Sequence, residues 1–133
     1  MRRAKHLDQL PGIVVVAIGT NDMRWISRDI TRSRVKGIIK QIGPNRQILW
    51  VDTYAGGAQR FTRPKERWFN HLLGVMARRH SNVRVITWAQ HARTTGVLFS
   101  DGMHYTFKGW RVRAELIRDE LDAYLGVKVP IGV

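Results

Sequence analysis

A chain of 133 residues has the length of one domain and enough material for a core. Its 44% hydrophobic and 25% charged residues make it globular rather than disordered, and the lack of cysteine excludes disulfides and thiolate metal sites. The charge is extreme, 23 Lys and Arg against 10 Asp and Glu for a net +13, which favours anionic partners such as nucleic acid, anionic lipid or an acidic polymer. The cations are spread along the chain, and the plainer account of them is a solvated basic face.

The start, MRRAKHLDQLPG, is basic but has no apolar stretch behind it, so no secretory signal is expected. Residues 13–18 (IVVVAI) form the longest apolar run, too short to cross a membrane and suited to a buried strand. Residues 29–42 place Val35, Ile38, Ile39 and Ile42 on one helical face, with Arg32, Lys36 and Lys40 as a basic stripe, and Gly43-Pro44 stops the helix. A second strand is expected over 47–52 (QILWVD). A second helix is expected over 63–79, with Pro64 in its first turn and Trp68, Phe69, Leu72, Leu73 and Met76 inward. Residues 83–88 (VRVITW) read as the third strand. The last helix follows Thr106 with Trp110, Ala114, Ile117, Leu121 and Tyr124 on one face. Arg111, Glu115, Arg118 and Asp122 lie opposite, at ion-pair spacing. Most of the five tryptophans fall on expected core faces.

Strands alternating with helices of this length predict an α/β layered fold around a parallel sheet, and one domain over residues 1–133. In such sheets the ligand site lies beyond the carboxyl ends of the strands. GTND, TYAGGAQR and AQHARTTGVLFSDGMH, which follow the three strands, should therefore meet at one rim. TYAGGAQR could line a pocket there or act as a plain connector.

Two polar clusters reach that rim. Asp101 and His104, three residues apart before a helix, can hydrogen-bond, with Asp101 accepting the Nδ1 proton and Nε2 left free as a general base. The same spacing can equally close a loop. Asn21 can cap the following helix, with Gly19 permitting the turn. Alternatively its side-chain amide can stabilise negative charge on a carbonyl oxygen.

Together the G-x-N-D turn after an apolar strand and the terminal D-G-x-H-x-T-x-x-G resemble the SGNH (GDSL-type) hydrolase superfamily. The likeness runs over residues from about 10 to 125. Gly19, Asn21 and Asp22 match its third conserved block, Asp101, Gly102 and His104 match its fifth, and Thr106 and Gly109 fit the start of its last helix. The resemblance implies a flavodoxin-like three-layer sandwich. It also implies an acyl-ester hydrolase or O-acyltransferase acting on carbohydrate or lipid esters without a cofactor. Asn21 and Gly19 would belong to the oxyanion hole, Asp101 and His104 to the catalytic triad, and Thr20, Asp22 and Gly102 to the supporting turns. The wording of both blocks is most similar to SGNH domains joined to bacterial membrane acyltransferases, which would face the cell envelope.

The serine and glycine blocks of that superfamily have no match. Ser27 and Ser33 fall at or within the first helix, Ser81 in a turn and Ser100 beside Asp101, none at a strand-to-helix elbow. The chain is therefore expected to be the C-terminal part of a larger SGNH domain, lacking two βα units and inactive by itself. The missing part, or another chain, would supply the nucleophile. The alternative is a compact relative whose open sheet edge is covered by residues 1–12 or a partner. Two other functions are open: a non-catalytic basic module binding nucleic acid or an anionic envelope polymer, and a metal hydrolase using His71, His80, His91 and His104. No ligand spacing supports the metal reading, and no metal is expected.

Overall fold

The structure is a computed structural model and describes residues 11–99 and 101–126. Three strands, β1 (Ile13–Val16), β2 (Gln47–Val51) and β3 (Val83–Ile86), form one parallel sheet in the order β1-β2-β3. Ile13 faces Gln47 and Ile48 faces Val83 across the ladders. The helices are α1 (Asp22–Trp25), α2 (Arg28–Ile42), α3 (Arg63–Arg79), α4 (Trp88–Thr95) and α5 (Phe107–Leu125), with a 3-10 segment, Gly57–Thr62, leading into α3.

Side chains alternate along β2 because successive Cβ atoms leave a strand on opposite faces. Ile48 and Trp50 join a core with Val35, Ile39 and Ile42 of α2 and Phe69, Leu73 and Met76 of α3. Leu49 and Val51 join a second core with Trp88 and Ala92 of α4, Val97, and the partly buried Val112, Leu116 and Ile117 of α5. The protein is thus α/β, with helices packed on both faces of a parallel sheet. Among the described residues no helix is long and apolar enough to cross a membrane.

Several expectations change. Each strand is shorter than expected, and Trp88 opens α4 rather than ending β3. The inward face of the last helix is shifted in its first half: Ile117 and Leu121 pack on the core as expected, but Trp110 is 58% exposed and Ala114 is exposed, and Val112 and Leu116 pack inward instead. The cause is Gly109, buried so closely against the carbonyl of Val97 that no side chain would fit. The ion pair on this helix joins Arg118 to its neighbour Asp119 at 2.7 Å rather than to a residue one turn away. Trp50 and Trp88 are buried and Trp68 is half-buried, but Trp25 is exposed beneath Arg24. Arg28 and Arg32 stack on Trp68, so the tryptophans are not segregated from the basic residues.

The apolar run of β1 suits a buried strand. Among the described residues it pairs with β2 alone, and Val15 is 40% exposed. An apolar strand with one open edge is what proteins usually cover. Residues 1–10, part of the segment that could lie along this edge, are outside the described residues.

Candidate active site

After β1 the backbone passes through Gly19 at φ +122°, where a Cβ would stand 2.8 Å from the Phe69 ring. Glycine is required there both for the turn and for the close approach. Asn21 precedes α1, yet its side chain makes no cap hydrogen bond and is exposed. Capping therefore does not account for it. Asp22 begins α1 and ties it to two other helices: its carboxylate lies 3.6 Å from Arg34, and its carbonyl accepts from Lys65 Nζ at 3.1 Å.

The second loop divides the work of Asp101 between its two oxygens. Oδ1 accepts the amides of Met103 (2.8 Å) and His104 (3.0 Å), which shapes the turn. Oδ2 lies 2.6 Å from His104 Nδ1. Loop closure and histidine orientation are thus performed by one carboxylate. The Met103 amide first, then the His104 side chain and amide, lower its pKa from 3.8 to about 2. The His104 side chain is 76% exposed and that of Asp101 47%.

Glycines and a threonine hold this loop. Gly102 adopts φ +73° with its carbonyl accepting the Gly56 amide at 3.0 Å. Thr106 Oγ1 donates to the Val97 carbonyl and accepts the Gly109 amide, both at 3.1 Å, capping α5. TYAGGAQR does not line the cavity beside His104; through Gly56 it braces the loop.

That cavity, of about 270 Å³, is lined by Ala17, Thr20 and Asn21 from the β1 turn, Met103, His104 and Tyr105 from the loop, and Trp110 and Arg113 from α5. The carboxyl rim therefore brings Asn21 and His104 to one pocket. Gly19 and Asp22 border an adjoining depression with Thr20 and Asn21. No described serine lines either space: Ser27 caps α2 through the Ile30 amide, and Ser33 and Ser81 are exposed elsewhere. Ser100 lies outside the described residues.

Sequence reasoning missed a second polar cluster. Asp52, at the end of β2, accepts the Ala89 amide at 2.6 Å and so anchors the first turn of α4. Burial raises its pKa from 3.8 to about 6. Glu66, fully buried, accepts the Ala55 amide at 2.8 Å and lies 3.5 Å from Arg93; burial raises its pKa too. An acid closing an apolar strand, as in QILWVD, was the available signal. Both carboxylates satisfy backbone amides, which makes their role structural. His71 lies on the exposed side of α3 and His80 at its C-terminus. Among the described residues no three acid or histidine side chains converge to hold a metal ion.

No protein-family model matches this chain, and no curated protein matches it.

Proposed function

We propose that the chain carries the acid–base and oxyanion part of an SGNH-type acyl-ester hydrolase or O-acyltransferase, on the flavodoxin-like three-layer fold of that superfamily. The observation that carries this reading is the 2.6 Å contact between Asp101 and His104 Nδ1 in a loop whose cavity also includes Asn21. With Nδ1 held by the carboxylate, Nε2 takes the proton of a serine hydroxyl as its oxygen attacks the ester carbonyl. The Asn21 amide donates to the oxygen that becomes negative, an interaction typically worth on the order of 100- to 1,000-fold in rate. His104 returns the proton to the leaving alcohol. Water or an acceptor hydroxyl then releases the acyl group by the same steps in reverse.

The nucleophile of this reading comes from a further segment that pairs with the edge of β1 left unpaired among the described residues. The half-exposed apolar side chain of Val15 supports that placement. The test is p-nitrophenyl acetate hydrolysis with fluorophosphonate labelling read by mass spectrometry. Turnover that disappears in His104→Ala would support the acid–base role but place the serine within this chain, and turnover that survives the change removes the reading. No label and no turnover would assign the serine to the partner segment.

A second reading has its own observation. Helices α2 and α3 each carry five Lys or Arg against one acid, whereas α5 carries four of each. Lys36, Lys40, Arg79 and His80 surround a groove whose floor includes Ile39 and Met76. Polyanion binding on this face would weaken steeply with salt and be indifferent to His104→Ala.

A further inference from the structure

Arg113 lies on α5 with its Nε buried and without a hydrogen-bond partner. Its guanidinium stands 5.1 Å from the ring centroid of Tyr105 and 5.8 Å from that of Trp88. No described acid forms an ion pair with it, in contrast to Arg34 with Asp22, Arg93 with Glu66 and Arg118 with Asp119. Its neighbours one turn away, Gly109, Trp110, Leu116 and Ile117, are uncharged. Ring faces offset only part of the cost of withdrawing that Nε–H from water, and they leave this directional donor unused.

The same residue lines the cavity shared by Asn21 and His104. Beside it Tyr105 and Trp110 meet edge to face, with centroids 5.4 Å apart, and form an aromatic wall. A pocket with one unpaired cation, an aromatic wall and a polar amide suits a ligand with a negative end and a flat apolar body.

We propose that this cavity is an anion site: Arg113 holds the carboxylate or phosphate of a substrate whose apolar part rests on Tyr105 and Trp110. Resting on the hydrolase reading, the substrate class narrows to esters that carry an anionic group. The anion site itself does not depend on that reading.

The experiment titrates the full chain with benzoate, phenyl phosphate and neutral benzamide, following the Trp110 indole and His104 imidazole resonances by NMR. At least one anion is expected to bind about tenfold more tightly than benzamide, a charge-assisted preference. The comparison between the two anions separates a carboxylate from a phosphate. Arg113→Gln is expected to remove the preference while changing benzamide binding by less than about twofold, and Arg113→Lys to retain part of it. Equal binding of all three ligands, no saturable binding of either anion, or a preference that survives Arg113→Gln overturns the proposal. The comparison among ligands needs no variant, so it decides even if Arg113→Gln fails to fold. Failure of the hydrolase reading registers separately, as turnover that survives His104→Ala beside an intact anion preference.

Discussion

Gly102 and Gly56 meet backbone to backbone: the Gly56 amide donates to the Gly102 carbonyl at 3.0 Å, and a methyl group on Gly102 would overlap the Gly56 carbonyl. This contact joins the segment after β2 to the loop that carries Asp101 and His104. Gly102→Ala is expected to lower stability by more than ~3 kcal/mol, because backbone displacement adds to the strain of positive φ. Gly96→Ala isolates the strain, since Gly96 has φ +57° with open space around it, and should lose only about 1 kcal/mol. Urea melts decide, and equal losses would deny the contact its role.

The low pKa of Asp101 gives the loop a defined acid limit. Its folded value lies below the ordinary 3.8, at about 2, so the stabilisation is present above pH 4 and lost as pH falls through 2. The amide shifts of Met103 and His104 should therefore move with a midpoint near 2. In Asp101→Asn that transition should vanish, and a midpoint close to 4 in the unaltered chain would contradict the hydrogen-bond assignment.

Asp52 runs the other way. Its folded pKa is raised to about 6, chiefly by burial, so the folded chain keeps a proton that the unfolded chain has already lost. Its contribution is largest below pH 4 and falls as pH rises through 6, by up to roughly 3 kcal/mol. Asp52→Asn retains an oxygen for the Ala89 amide and should flatten this part of the stability profile. Denaturant melts at pH 4, 5, 6 and 7 compare the two chains, and parallel profiles would refute the claim.

Glu66→Ala removes the acceptor of the buried Ala55 amide and the partner of Arg93. A loss of about 3 kcal/mol is expected. Glu66→Gln keeps an acceptor for Ala55 and should lose clearly less. Thermal melts of both variants test the order, and an equal loss would mean that the amide bond contributes nothing measurable.

One edge of β1 is unpaired among the described residues, which predicts self-association. Val15→Lys places a charge on a strand that is otherwise apolar, a common protection of sheet edges. Sedimentation at rising concentration should show less association than in the unaltered chain. An unaltered chain that stays monomeric throughout would count against an open edge.

Much of the architecture was legible because apolar periodicity is a local property. The β1, β2 and β3 runs and the inward faces of α2 and α3 follow directly from it. The helix α4 was not legible: its core contribution is Trp88, Ala89 and Ala92, too few apolar positions over eight residues to set a period. Trp88 looks like the end of a strand until Asp52, from a different strand, accepts the amide of Ala89 and opens a helix there.

The candidate site divides along the same line. Asp101 and His104 are three residues apart, and their contact is local, so the spacing alone determined that they could pair. The glycines were readable as turn formers, but not what each one meets. Strand alternation already put Asn21 and His104 at one rim, but only the tertiary structure decided that they line one cavity and that Asn21 leaves its cap position unused. The same is true of Gly109, whose contact with Val97 rotates α5 and brings Arg113 to that cavity. The reason is physical: hydrogen bonds within a turn depend on neighbouring residues, whereas a pocket depends on how parallel strands bring distant loops to one rim.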